Sequence, residues 1–290
     1  MGNRDAPSVH YVADQGMTGY GVAARRLMLG LNAIGCTVSW SPIRWSQDAP
    51  LLSADQPTEI DLGALRGRTI EPDVVIVHAT PEIAERVEHL RPRGVPLVVH
   101  TVWEHEVLQA HWPQLLNRFD AVVVPTRWNA ETFRANGVKV PVLVVPHAHD
   151  GGLDGSDDSW LDQFCAADTL LVHSVASWRH RKQPGTTIEA FARAFTAADD
   201  VMLALLTSPH IDPDVPAPAG PQSRRYQSSW STMDVLRRHG SPPRVHLITD
   251  RISFTELAGL PLRSSAWLSL PHSEGWDLGC FDAAVAGCRW

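Results

Sequence analysis

Short apolar runs rich in Val, Ile and Leu recur along this chain, and a segment of helical spacing lies between most consecutive pairs. This alternation limits the fold more than any other feature. Runs of four to six apolar residues without polar alternation are buried on both faces, which a parallel sheet covered by helices provides. In the N-terminal half, strands are expected at Val9–Ala13, Cys36–Trp40, Asp73–His78, Pro96–His100, Ala121–Pro125 and Val142–Pro146. Helices are expected between them at Tyr20–Ile34, Ala84–Leu90, Leu108–Arg118 and Ala130–Asn136.

The pattern breaks at His149–Asp158, a Gly/Asp-rich stretch without periodicity, and then restarts. Strands follow at Leu170–Ala176, Val201–Leu206, Val245–Ile248 and Ala266–Leu270, with helices at Gly185–Phe195, Ser231–Arg238 and Phe254–Leu260. The expected fold class is therefore α/β, with two Rossmann-like doubly wound parallel-sheet domains. They occupy residues 1–150 and 169–290, joined by a linker at 151–168. The Pro-rich excursion Ser208–Ser223 is expected to be a mobile loop. Two such domains in tandem leave a cleft faced by the C-terminal ends of their strands, so chemistry is sought among the polar residues at those ends.

Composition excludes several classes. The 290 residues carry a net charge of −7, which argues against a general nucleic-acid binder, whose footprint is basic. An anionic ligand must then be met by a local cationic pocket. No run of eighteen apolar residues suggests a membrane span, and Met1–Ser8 has no apolar core of the secretory kind. Cys36, Cys165, Cys280 and Cys288 are scattered without a Cys-x-x-Cys pair. That pattern suits reduced thiols in a cytoplasmic protein better than disulfides or a zinc site. Eleven tryptophans against three tyrosines offer flat faces for sugar rings, although packing accounts for most tryptophans.

The last seventeen residues hold the densest chemistry. Glu274 and Asp282 stand eight positions apart across a glycine-containing turn (Gly275, Gly279) that leads from the strand at Ala266–Leu270 into a small-residue helix. A strand, a turn and a helix start form an anion cradle, since free amides and the helix dipole converge there. Acids at either end of the turn can accept hydrogen bonds from sugar hydroxyls. Upstream, Trp178-Arg179-His180-Arg181-Lys182 follows the strand Leu170–Ala176. Cations at such a turn are placed to meet a diphosphate, Arg as a bidentate fork and Lys as a point charge; a solvated basic loop is the bland alternative.

In the first half, Gly19-x-Gly21-x-x-Ala24 fits the dinucleotide fingerprint only weakly. Five residues, Asp14–Thr18, intervene after the strand, and no acid ends the second strand to hold a ribose. A loop that lets a ligand approach the backbone, or a plain helix start, fits better. His78 and His100 end two strands at equivalent positions, where an imidazole can donate to a sugar hydroxyl. His100 is the preferred candidate.

Taken together these residues resemble the retaining GT-B glycosyltransferases of family 4, the group-1 type. The anchor is Ser273-Glu274-Gly275-Trp276-Asp277-Leu278-Gly279-Cys280-Phe281-Asp282-Ala283-Ala284, similar to that family's motif of two glutamates with seven residues between them. Asp120–Trp128, Gly137-Val138 with Val144-Val145-Pro146-His147, and Arg181-Lys182 before Glu189-Ala190-Phe191 support it. The resemblance implies transfer of a hexose from a nucleoside diphosphate sugar to an acceptor hydroxyl, with retention of configuration. It implies His100 and Glu274 as catalytic residues. Donor contacts would come from Gly19, Gly21, Arg179, Arg181, Lys182, Gly275, Leu278 and Asp282. No metal or other cofactor is implied, the acceptor being a glycan, a lipid-linked group or a small molecule, with peripheral membrane contact allowed. Asp282 stands where the family has glutamate, Asp277 where it commonly has glycine, and Ser177 where it has an upstream arginine.

The family continues beyond Gly287 with further strand–helix units. The second domain is therefore expected to be incomplete, with Ala266–Leu270 on an open apolar edge prone to self-association and with impaired turnover. A non-catalytic nucleotide-sugar-binding remnant, a GT-B sugar-nucleotide epimerase and, last, a Rossmann oxidoreductase are the alternatives.

Overall fold

The computed structural model describes residues 6–44, 62–149, 156–210 and 227–289. Residues 151–155 of the expected linker and 211–223 of the Pro-rich excursion lie outside them. The chain divides into two compact units, Met1–Asp150 and Gly151–Trp290.

In the N-terminal unit, β1 (Ser8–Asp14), β2 (Thr37–Ile43), β3 (Val74–His78), β4 (Leu97–His100), β5 (Ala121–Val124) and β6 (Val142–Val144) form one sheet in the order β2-β1-β3-β4-β5-β6. All its ladders are parallel. The helices are α1 (Gly19–Ala33), α2 (Pro81–Val87), α3 (Trp112–Leu116) and α4 (Arg127–Ala135). The β-branched runs explain the architecture: Val75, Val77, Val99, Val122 and Val124 are all fully buried. Thr18 and Thr126 cap α1 and α4 by accepting from the amides of Gly21 and Asn129. α3 is shorter than the expected Leu108–Arg118 because Pro113 has no N–H for the carbonyl of Gln109. Trp112 takes that carbonyl instead, at 2.9 Å, and the helix opens there. Pro81, preset for the first helical position, likewise starts α2 three residues before Ala84.

In the C-terminal unit, β7 (Leu170–Val175), β8 (Val201–Leu206), β9 (Arg244–Ile248) and β10 (Ala266–Trp267) form a parallel sheet in the order β10-β7-β8-β9. Counted within the unit this is 4-1-2-3, so the order reverses between β7 and β10. Ile188 and Phe191 of α5 (Pro184–Ala194) and Val235 of α6 (Gln227–Leu236) pack on Val172, Leu203 and Leu205. Leu260 of α7 (Phe254–Arg263) covers the other face with Leu171, Met202, Ala204 and Ile248. α8 (Leu278–Val285) follows β10.

Two expectations need correction. Part of the segment expected as linker belongs to the C-terminal core: Ser159–Gln163 forms a 3-10 turn, and Leu161 and Cys165 are buried beside Leu171 and Leu260. Apolar residues at that spacing fold where they find a partner face. The expected strand Ala266–Leu270 shrinks to Ala266–Trp267, and its outer edge is not fully open. Arg289 lies parallel beside it, with Trp267 N–H donating to the Arg289 carbonyl at 2.8 Å and Arg289 N–H to the Ser265 carbonyl at 3.1 Å. All four cysteines are free thiols. Among the described residues no helix is long and apolar enough to cross a membrane.

Candidate functional site

β7 feeds a loop at the C-terminal edge of its sheet. Trp178 in that loop, 4% exposed, packs into the core with Ile188 and Phe191. Gln183, in the left-handed region at φ 49°, turns the chain into α5. Between these fixed points Arg181 and Lys182 are held against the loop that follows β10. Arg181 Nη1 donates to the Ser273 carbonyl at 2.7 Å and pairs with Glu274 Oε2 at 3.0 Å, while Lys182 Nζ pairs with Glu274 Oε1. The His272 amide donates to the Arg181 carbonyl at 2.8 Å, tying the loops by backbone as well. One carboxylate thus gathers two cations where the strand order reverses. The three side chains are 16–23% exposed, so their charges are only partly screened.

The turn into α8 is built around Asp277. Its φ is 61°, a left-handed conformation that L-residues other than Asn and Asp rarely adopt. This explains why glycine suits the position. Asp277 Oδ1 accepts from the Cys280 amide at 3.2 Å as the N-cap of α8. Burial first, and the charge of Glu274 second, push its carboxyl above the usual range. Gly279 has a packing reason: a Cβ there would stand 2.3 Å from Trp267 Cη2, so only glycine lets α8 settle on β10. Gly275 lies in the turn before α8, Leu278 is the first residue of α8, and Asp282 falls on its second turn. Arg179 lines a depression of about 330 Å³ with Trp178, Gln183, Glu189 and Arg238.

A second polar cluster lies in the N-terminal unit. His78 and His100 are register partners on adjacent strands, so their side chains leave the same face. Their rings stack with centroids 3.9 Å apart and planes 3° from parallel. His147, just beyond β6, brings a third ring to 5.6 Å from His100 and 5.8 Å from His78. Tyr11 Oη bonds His78 Nδ1 at 2.9 Å. Tyr20 meets His78 edge-on, and its hydroxyl bonds Thr101 Oγ1 at 3.0 Å. His100 Nε2 is buried without a protein hydrogen-bond partner. Burial holds all three imidazoles neutral. His100 is pushed down to about 3 with help from His147, and His147 to about 4 with help from Arg26. His78 is held well below its ordinary value by burial and by both other histidines.

Gly19 and Gly21 begin α1 beside a loop that Asp14 organises. Asp14 accepts from the Gly16 amide at 3.1 Å and from Thr18 Oγ1 at 2.5 Å. Thr18 then accepts from the Gly21 amide at 3.1 Å, so that amide serves the helix cap. The structure brings together Arg181, Lys182 and Glu274 from the sequence-derived set, and His100 with His78. Sequence reasoning missed Tyr11, Tyr20 and the convergence of His147. The only sequence signal for the last was another histidine just past a strand end of the same sheet.

The fold is that of several solved glycosyltransferases. It is similar to the trehalose-6-phosphate synthase OtsA (TM-score 0.62, 13% identity, 96% of this chain and 82% of that one). It is also similar to sucrose-phosphate synthase from Thermosynechococcus elongatus (0.66, 13%, 97% and 80%). HepE from Anabaena, solved in complex with UDP-glucose, aligns at 0.60 and 14% over 97% and 79%. No protein-family model and no curated protein matches the chain. At these identities the likeness establishes the fold: two Rossmann-like α/β units of the GT-B kind.

Proposed function

We propose that this chain is a glycosyltransferase that moves a hexose from a nucleoside diphosphate sugar to an acceptor hydroxyl with retention of configuration. The observation that carries this reading is the convergence of Arg181 and Lys182 on Glu274 where the strand order reverses, the position at which open α/β sheets bind nucleotides. In the transfer the bond between the anomeric carbon and the diphosphate breaks, and the electron pair leaves with the diphosphate. The acceptor oxygen bonds to the anomeric carbon and gives up its proton to an oxygen of the leaving diphosphate. Negative charge thus grows on the diphosphate, which the Arg181 fork, the Lys182 ammonium and the α8 amides would stabilise. Glu274, relieved of its two cations by the diphosphate, is free to accept from the sugar, and Asp282 from the ribose. His100 is the catalytic candidate that the N-terminal unit contributes. The fold shared with enzymes of sugar-phosphate synthesis, and with a protein that holds UDP-glucose, supports this reading and makes UDP-glucose the first donor to try.

One observation favours a second reading, a nucleotide-sugar binder without turnover. The Asp277 carboxyl occupies an α8 amide that a phosphate would otherwise take. Incubation with UDP-, GDP- and ADP-hexoses, with and without pooled sugar, sugar-phosphate and lipid-linked acceptors, separates the readings. Acceptor-dependent release of nucleoside diphosphate and an axial or equatorial product linkage matching the donor support the transferase. Binding without release supports the binder, and neither outcome with any donor removes both.

A further inference from the structure

We infer that His78, His100 and His147 form a binding site for one divalent first-row transition metal in the N-terminal unit, independent of the transferase reading. Three imidazoles converge from three segments, one at the end of β3, one at the end of β4 and one just past β6, and their ligating atoms all lie within 4.8 Å of one another. Each ring is 7% exposed or less. A buried polar nitrogen without a partner calls for an explanation such as an ion or ordered water, and His100 Nε2 is one. Tyr11 engages His78 Nδ1, which fixes that ring and leaves Nε2 as its metal-directed atom, the usual outer-shell arrangement of a ligating histidine. The neutral state that burial imposes on all three is the ligating state of imidazole.

Three histidines suit zinc, cobalt, nickel or copper ions, with a fourth position left open. Zinc–nitrogen bonds of about 2.0–2.1 Å require ligand atoms roughly 3.3 Å apart in a tetrahedron, so the site must contract on loading. The stack sets a further condition. A metal lies in the plane of each imidazole it binds, so one of the two parallel rings must rotate, whereas His147 already tilts by 30° from His100. Arg26 beside His147 opposes the added charge.

Chelator-treated protein titrated calorimetrically with zinc and, by visible spectroscopy, with cobalt tests the site. One equivalent is expected to bind, with cobalt giving the intense bands of a tetrahedral complex. His147→Gln should weaken binding at least roughly tenfold, and Tyr11→Phe by about tenfold through loss of the ring orientation. Variants of the exposed histidines His89 and His105 should leave it unchanged. Zinc should also raise the melting temperature of wild type and of His89→Gln but not of His147→Gln, a comparison that reads each protein against its own metal-free state. Absence of stoichiometric binding, or binding undiminished in His147→Gln, would overturn the site whatever the transferase assays give.

Discussion

Asp277 sets two demands of the chain against each other. Its carboxyl caps α8 and so replaces an anion at the helix start, and its left-handed backbone would suit glycine better. Removing it should leave stability nearly unchanged, since glycine is a tolerable N-cap and relieves the strained φ. It should strengthen nucleoside diphosphate binding by roughly tenfold, about 1.4 kcal/mol, by removing a like charge from the cradle. Calorimetry on Asp277→Gly measures this directly; unchanged or weaker binding would show that the carboxyl does not face the ligand. The same residues show what a sequence discloses at this scale. Glu274, Arg181 and Lys182 could be singled out because charge at a strand-to-helix turn in an acidic chain is unusual. Tyr11 could not, because the hydrogen bond that gives it meaning spans 67 positions and depends on a strand register.

Elements were legible where side-chain periodicity decides them and less so where backbone chemistry does. The apolar strands follow from patterning, whereas the late start of α3 depends on one missing N–H at Pro113. The brevity of β10 is a packing effect. Its Trp267 ring lies under Gly279 of α8, so this strand and helix act as one block that positions the Glu274 turn. Gly279→Ala should therefore cost about 1–3 kcal/mol by overpacking, read as a lower denaturant midpoint at unchanged slope. Gly259 in α7 poses a harder case, since a Cβ there would come within 2.2 Å of the Asp157 backbone carbonyl. Gly259→Ala must move main chain, and its loss of stability should equal or exceed that of Gly279→Ala. The reverse ranking would mean that the segment at Asp157 yields easily.

Over the whole molecule, both units bury neutral imidazoles: His78, His100 and His147 in the N-terminal unit and His173, held down to about 4 by burial, in the C-terminal one. This burial makes stability depend on pH. The folded pKa of His100 and His147 lies below the ordinary 6.5, so the unfolded chain binds more protons. Stability is therefore complete above about pH 6.5 and declines as the pH falls toward about 4. Between pH 6.5 and 5 each such histidine removes up to about 2 kcal/mol. Thermal unfolding across that range should show a steep acid loss that His100→Asn makes shallower; equal slopes would refute the buried neutral triad.

The central claim is that Arg181 and Lys182 hold the phosphates of a nucleotide that Glu274 stands in for when none is bound. Calorimetric titration of UDP into wild type, Lys182→Ala and Arg179→Ala measures it most directly. A charge-assisted contact contributes about 1.5–3 kcal/mol. Lys182→Ala should therefore weaken UDP binding by roughly 10- to 100-fold, and Arg179→Ala, which leaves both cations held by Glu274 in place, by less. Equal affinity of wild type and Lys182→Ala would contradict the account.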